Sequence, residues 1–163
     1  MAIVWNSDLN TNIDVIDQQH QRIVDYINQM KFAVDQQDRE AVGRTLDELV
    51  DYTVSHFAFE EGLQEQAGYK FARLHKSVHE VFVKRVARYQ ERHADGEDVA
   101  RQLHGMLSTW LVHHIKRDDK GYVSEVIDCL SAKDPDPAQA KANPNHGGPS
   151  GHRLSRSLKK LFK

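Results

Sequence analysis

Apolar residues recur along this chain with the period of a helix. Ile23, Val24, Ile27, Met30 and Val34 make an i, i+3, i+4, i+7 stripe over residues 14–36, and His20 lies inside it. Leu46, Leu49, Val50, Thr53, Phe57 and Leu63 make the next stripe, and His56 and Glu60 fall on it. Phe71, Val78, Phe82, Val86 and Tyr89 make the third, with His75 and His79 in line. Val99, Leu103, Met106, Leu107, Trp110 and Leu111 make the fourth, continuing to His114. Turn signals separate the stripes at Gln36-Gln37-Asp38, around Gly68, and at Asp95-Gly96. Tyr122, Val126, Ile127 and Leu130 predict a short further helix. Alternating strand-like runs are absent.

Four amphipathic helices joined by short turns predict an all-α, up-down-up-down four-helix bundle, with an N-terminal arm and a short C-terminal helix. In the arm, Trp5, Leu9, Ile13 and Ile16 are expected to pack on the body, and Asp14 or Asp17 to cap the first helix. The bundle is expected over residues 1–131. Residues 132–151 hold all four prolines and read as a linker, followed by a basic amphipathic tail at 152–163.

Composition narrows the class. With 39% hydrophobic and 28% charged residues, the chain has the make-up of a soluble globular protein. Its single cysteine, Cys129, rules out an internal disulfide and a thiolate cluster. Neither a secretory leader nor a membrane-spanning run is evident, so a cytoplasmic location is expected. The net charge is −2, but the tail carries five basic residues and no acid, leaving −7 for the rest. An acidic body excludes a nucleic-acid partner. The tail has two readings: a contact for an anionic membrane or an acidic protein, or a solvated end.

The chemistry lies in the polar residues that interrupt the stripes. His56 with Glu60, and His75 with His79, are i, i+4 pairs that point two donors to one side of a helix. A buried, unpaired carboxylate costs several kcal/mol, so Glu60 demands a proton or a cation. Five histidines and a glutamate on the inward faces of four helices form a donor set for first-row transition metals. His113 is an alternative to His114, which is preferred for its register with Leu107 and Trp110. His93 and His104 read as solvated, as do Glu61 and Glu65. For a last carboxylate, Asp118 lies four residues after His114 and Asp119 five. A regular helix favours Asp118, a local π-turn favours Asp119, and periodicity leaves both open.

The order Ile16-Asp17-Gln18-Gln19-His20, then His56-Phe-Ala-Phe-Glu60, then His75-Lys-Ser-Val-His79, then His114 with Asp119 resembles the hemerythrin family, its single-domain bacterial members in particular. The resemblance implies Asp119 rather than Asp118. It implies a non-haem di-iron centre with an oxo or hydroxo bridge. One iron would be held by His75, His79 and His114 and the other by His20 and His56, with Glu60 and Asp119 bridging. The implied function is reversible dioxygen binding without catalysis, for storage, delivery or buffering. Ile23, Phe57, Trp110, Leu111 and Ile115 are the expected lining of the oxygen pocket. The donors and the bridge fill eleven of twelve octahedral positions, leaving one open on the two-histidine metal. An oxygen or redox sensor signalling through the tail, and a di-iron oxidase or peroxide- or nitric-oxide-consuming enzyme, are the competing readings.

Overall fold

A computed structural model describes residues 2–133. Four long helices carry the stripes: α1 (Asp14–Asp35), α2 (Arg39–Gln66), α3 (Ala72–Ala94) and α4 (Ala100–His113). A π-helical segment, His114–Asp118, extends α4, and a 3-10 turn, Asp119–Gly121, leads into α5 (Val123–Lys133). The described residues contain no strand. The expected tail, and the expected linker beyond Lys133, lie outside the described residues.

The turns follow from local chemistry. Asp38 caps α2 by accepting a hydrogen bond from the Ala41 amide at 2.9 Å, a contribution of about 1 kcal/mol. Gln37 before it, and Gly68 and Gly96 at the next two turns, have positive φ, where glycine carries no steric cost. The start of α1 departs from expectation. Its N-cap is Ile13, without a side-chain cap. Asp17 instead reaches back over the loop, accepting from the Thr11 amide at 2.7 Å, the Thr11 hydroxyl at 2.8 Å and the Asn12 amide at 3.1 Å. Four residues into the helix, it is too far along to cap and well placed to pin the arm. Asn28 fastens the arm's beginning, exchanging hydrogen bonds with Ile3 N and O at 2.9 and 3.0 Å.

α1 packs on α2 and α4, and α3 packs on α2 and α4, closing a ring of four. The main core fills that ring with Ile27, Met30, Leu46, Leu49, Leu103 and Leu107, all fully buried. Each such side chain contributes roughly 1.5–3 kcal/mol. A second, smaller cluster of Ile13, Ile16, Tyr122 and Val126 is covered by Phe59, Leu63 and Tyr69. α5 closes this end against α2. In the chain, His20 stands between Ile16 of the small cluster and Ile23 of the large one. The polar residues of interest therefore occupy a layer between two apolar plugs. No helix among the described residues is long and apolar enough to cross a membrane.

Candidate metal centre

The first three long helices bring their donors inward by register, and the segment that follows α4 adds His114 and Asp119. His20, His56, Glu60, His75, His79, His114 and Asp119 are all buried, Glu60 and Asp119 completely. Donor atoms of Glu60, His75, His79 and His114 lie within 4.8 Å of one another, as do those of His20, His56 and Glu60. His113 is exposed, so His114 is the inward member of that pair.

The two carboxylates divide their oxygens between these groups. Glu60 Oε1 is 2.6 Å from His75 Nε2 and 3.7 Å from His79 Nε2. Its other oxygen, Oε2, is 3.3 Å from His56 Nε2. Asp119 Oδ1 is 3.0 Å from His114 Nε2 and 3.5 Å from His75 Nε2, while Oδ2 is 3.4 Å from His20 Nε2. The π-helical segment makes this possible. Its wider turn carries Asp119, five residues after His114, onto the face a regular helix would give to Asp118. Asp118 stays at the margin, half-buried.

The donor set fits a pair of cations. His20 Nε2, His75 Nε2, Glu60 Oε2 and both Asp119 oxygens are buried without a hydrogen-bond partner, which in a native core calls for an ion or water. His79 Nε2 and His114 Nε2 stand 3.0 Å apart. Neighbouring donors on an octahedral ion with metal–nitrogen bonds of about 2.1 Å lie about 3.0 Å apart. The ionisation states agree. Burial pushes the His20 and His114 imidazoles below the usual histidine value, and takes His79 down to about 4. All three are therefore neutral and ready to ligate at pH 7. Burial pushes Glu60 up, but the His56 and His75 imidazoles beside it more than reverse this and hold it well below the usual carboxylate range. Burial, then the Glu60 charge, drives Asp119 well above that range. The two carboxylates thus oppose each other's ionisation, and a pair of divalent cations between them would relieve that opposition.

Residues 11–126 match the family model of the hemerythrin HHE cation binding domain. The chain belongs to the hemerythrin family. Among hemerythrin relatives, the bacteriohemerythrin of Pseudomonas aeruginosa is 47% identical over 160 residues, covering 98% of this chain and 97% of that protein. The bacteriohemerythrin of Stenotrophomonas maltophilia is 55% identical over 124 residues, 76% of this chain and 81% of that one. The crystal structure of a wild-type hemerythrin superposes with a TM-score of 0.74 at 30% identity, covering 77% of this chain and 98% of that chain. The hemerythrin resemblance and the all-helical architecture expected from sequence thus hold.

Around the hemerythrin donors stands a ring of hydrogen-bond partners that periodicity does not reveal. His56 Nδ1 donates to Gln19 Oε1 at 2.8 Å, His79 Nδ1 to Glu61 Oε1 at 3.0 Å, and His114 Nδ1 to Asp118 Oδ2 at 3.1 Å. Gln64 Nε2 donates to Glu60 Oε1 at 2.9 Å. Glu61, expected to be a solvated surface charge, is half-buried and bonds both His79 and Lys76. It lies off the apolar stripe because it approaches an imidazole from the flank. Tyr122 is fully buried, its ring against His75 at 5.5 Å between centroids, and its hydroxyl has no hydrogen-bond partner. Aromatic rings cover the imidazoles: Phe57 stacks on His79 at 3.7 Å, and Trp110 on His114 at 4.3 Å. Trp5 of the arm lies 6.4 Å from His20. Ile23, Phe57, Leu111 and Ile115 belong to the main core, and Trp110 packs against it.

The reading of the remaining histidines needs one correction. His104, expected to be solvated, is buried on α4 beside Ser108, with Lys31 and Asp35 of α1 in its surroundings. His93 is half-buried, with Nε2 3.2 Å from the Arg39 carbonyl.

Proposed function

We propose that this chain binds dioxygen reversibly at two iron ions, serving storage, delivery or buffering rather than catalysis. His75, His79 and His114 would hold one ion, His20 and His56 the other, and Glu60 and Asp119 would serve both. The observation that carries the reading is the division of each carboxylate, one oxygen toward each histidine group. A pair of ferrous ions held there would supply electrons and a binding position for a small diatomic molecule.

The chain's own residues favour reversibility. Imidazoles outnumber carboxylates, so little anionic charge is available to favour highly oxidised iron, unlike the carboxylate-rich shells of oxygen-activating bundles. The apolar clusters above and below the donors exclude water and protons, which protects a reduced centre. Ile23, Phe57, Trp110, Leu111 and Ile115 form the dry wall beside the open position.

The test is the visible spectrum of the anaerobically reduced, iron-loaded protein, followed as oxygen is added and removed. A band that appears with oxygen and disappears on degassing, through repeated cycles, is the expected result. Irreversible oxidation with consumption of a co-substrate would move the assignment to an oxidase. Failure to bind iron would remove it.

A further inference from the structure

The partners that back the histidines are of two kinds. On the three-histidine side, two imidazoles donate to carboxylates, His79 to Glu61 and His114 to Asp118. On the two-histidine side, His56 donates to the neutral amide oxygen of Gln19, and His20 Nδ1 is buried with no partner. A carboxylate that accepts the Nδ1 proton fixes the tautomer and makes Nε2 a stronger donor. An amide oxygen fixes the tautomer but adds no charge. An imidazole with no partner has neither aid.

We infer that these outer partners set the order in which the two positions fill: the three-histidine position first and more tightly, the two-histidine position second and more weakly. This rests on the di-metal reading above, which assigns the ligands but not their order. Glu61 and Asp118 do not contribute equally. Lys76 also bonds Glu61, at 2.9 Å, and offsets part of its charge, so Asp118 has the larger effect. Gln19 is the corresponding control point on the other side. At limiting metal the chain therefore carries one ion rather than a mixture of empty and paired centres. The weaker ion is the one with the open position, so the oxygen-binding half is also the half that is lost first.

The experiment is a calorimetric titration of the metal-free full chain with Co²⁺ at pH 7, with fold checked by circular dichroism. Two resolved steps are expected, and His20→Ala should abolish the weaker while sparing the tighter. Asp118→Asn, which keeps the shape and removes the charge, should weaken the first step by roughly 10–100-fold and leave the second in place. Glu61→Gln should do the same to a smaller degree. Gln19→Glu should tighten the second step and narrow the gap, whereas Gln19→Leu should weaken that step alone. Two indistinguishable steps in the parent chain would overturn the inference. So would loss of the tighter step in His20→Ala, or an Asp118→Asn effect that is nil or equal on both steps, the mark of a merely structural role. The absence of any cobalt uptake is a separate failure, one that removes the metal centre itself.

Discussion

Tyr122 and His104 are two buried polar residues with opposite lessons. The Tyr122 hydroxyl has no hydrogen-bond partner, and burial first, then the Glu60 and Asp119 charges, push it well above the usual phenol range. It is a neutral hydroxyl whose approach to the Glu60 carboxylate falls short of a full hydrogen bond. His104 is kept neutral because burial lowers its value below that of an ordinary histidine. The unfolded chain then takes up the proton first as pH falls through about 6.5, so protonation favours unfolding. Between pH 7 and 5.5 the parent protein should lose more stability than His104→Gln, and parallel denaturation profiles would refute this.

At the scale of the element, the segment from His114 to Asp119 separates two tasks that one helical turn would merge. Asp118, at i+4, bonds the outer nitrogen of His114, while Asp119, at i+5, faces its inner nitrogen. The π-turn makes room for both. Deleting the exposed Arg117 should restore a regular helix and leave only one aspartate in a workable position. We expect the ions bound per chain, measured by elemental analysis, to fall below two with helical content preserved; two retained ions would show the π-turn to be dispensable. Periodicity could not decide this segment, because α and π geometry differ by a single residue and both keep Ile115 in the core. The other candidate donors stand out in the sequence more plainly. His20, Glu60, His75 and His79 each interrupt an apolar stripe, and a polar residue on a buried stripe must be satisfied by something. Gln19 and Glu61 escaped because each reaches its imidazole from beside the stripe, where positions look like ordinary surface; Asp118 stood out as a candidate ligand, but not as a partner of the outer His114 nitrogen. Asp17 shows the same limit: an acid near a helix start suggests a cap, and only the path of the arm reveals a clasp.

For the whole molecule, the layer of candidate donors lies between two apolar plugs, so any ions held there would be thermodynamically linked to the fold. Ions that bind only the folded chain, each at a concentration a hundredfold above its dissociation constant, add about 2.7 kcal/mol apiece. For a bundle of this size, chelation should lower the melting temperature by roughly 10–20 °C. Equal melting with and without chelator would mean that the unfolded chain competes for the ions or that the centre is decoupled from the core.

The chain has two tryptophans, and the fold places one beside each histidine group: Trp5 near His20, Trp110 stacked on His114. Paramagnetic ions quench indole emission steeply with distance, so the molecule carries its own pair of optical reporters. With Trp5→Phe or Trp110→Phe leaving a single emitter, fluorescence would register the filling of the centre from either side, without any label attached to the protein.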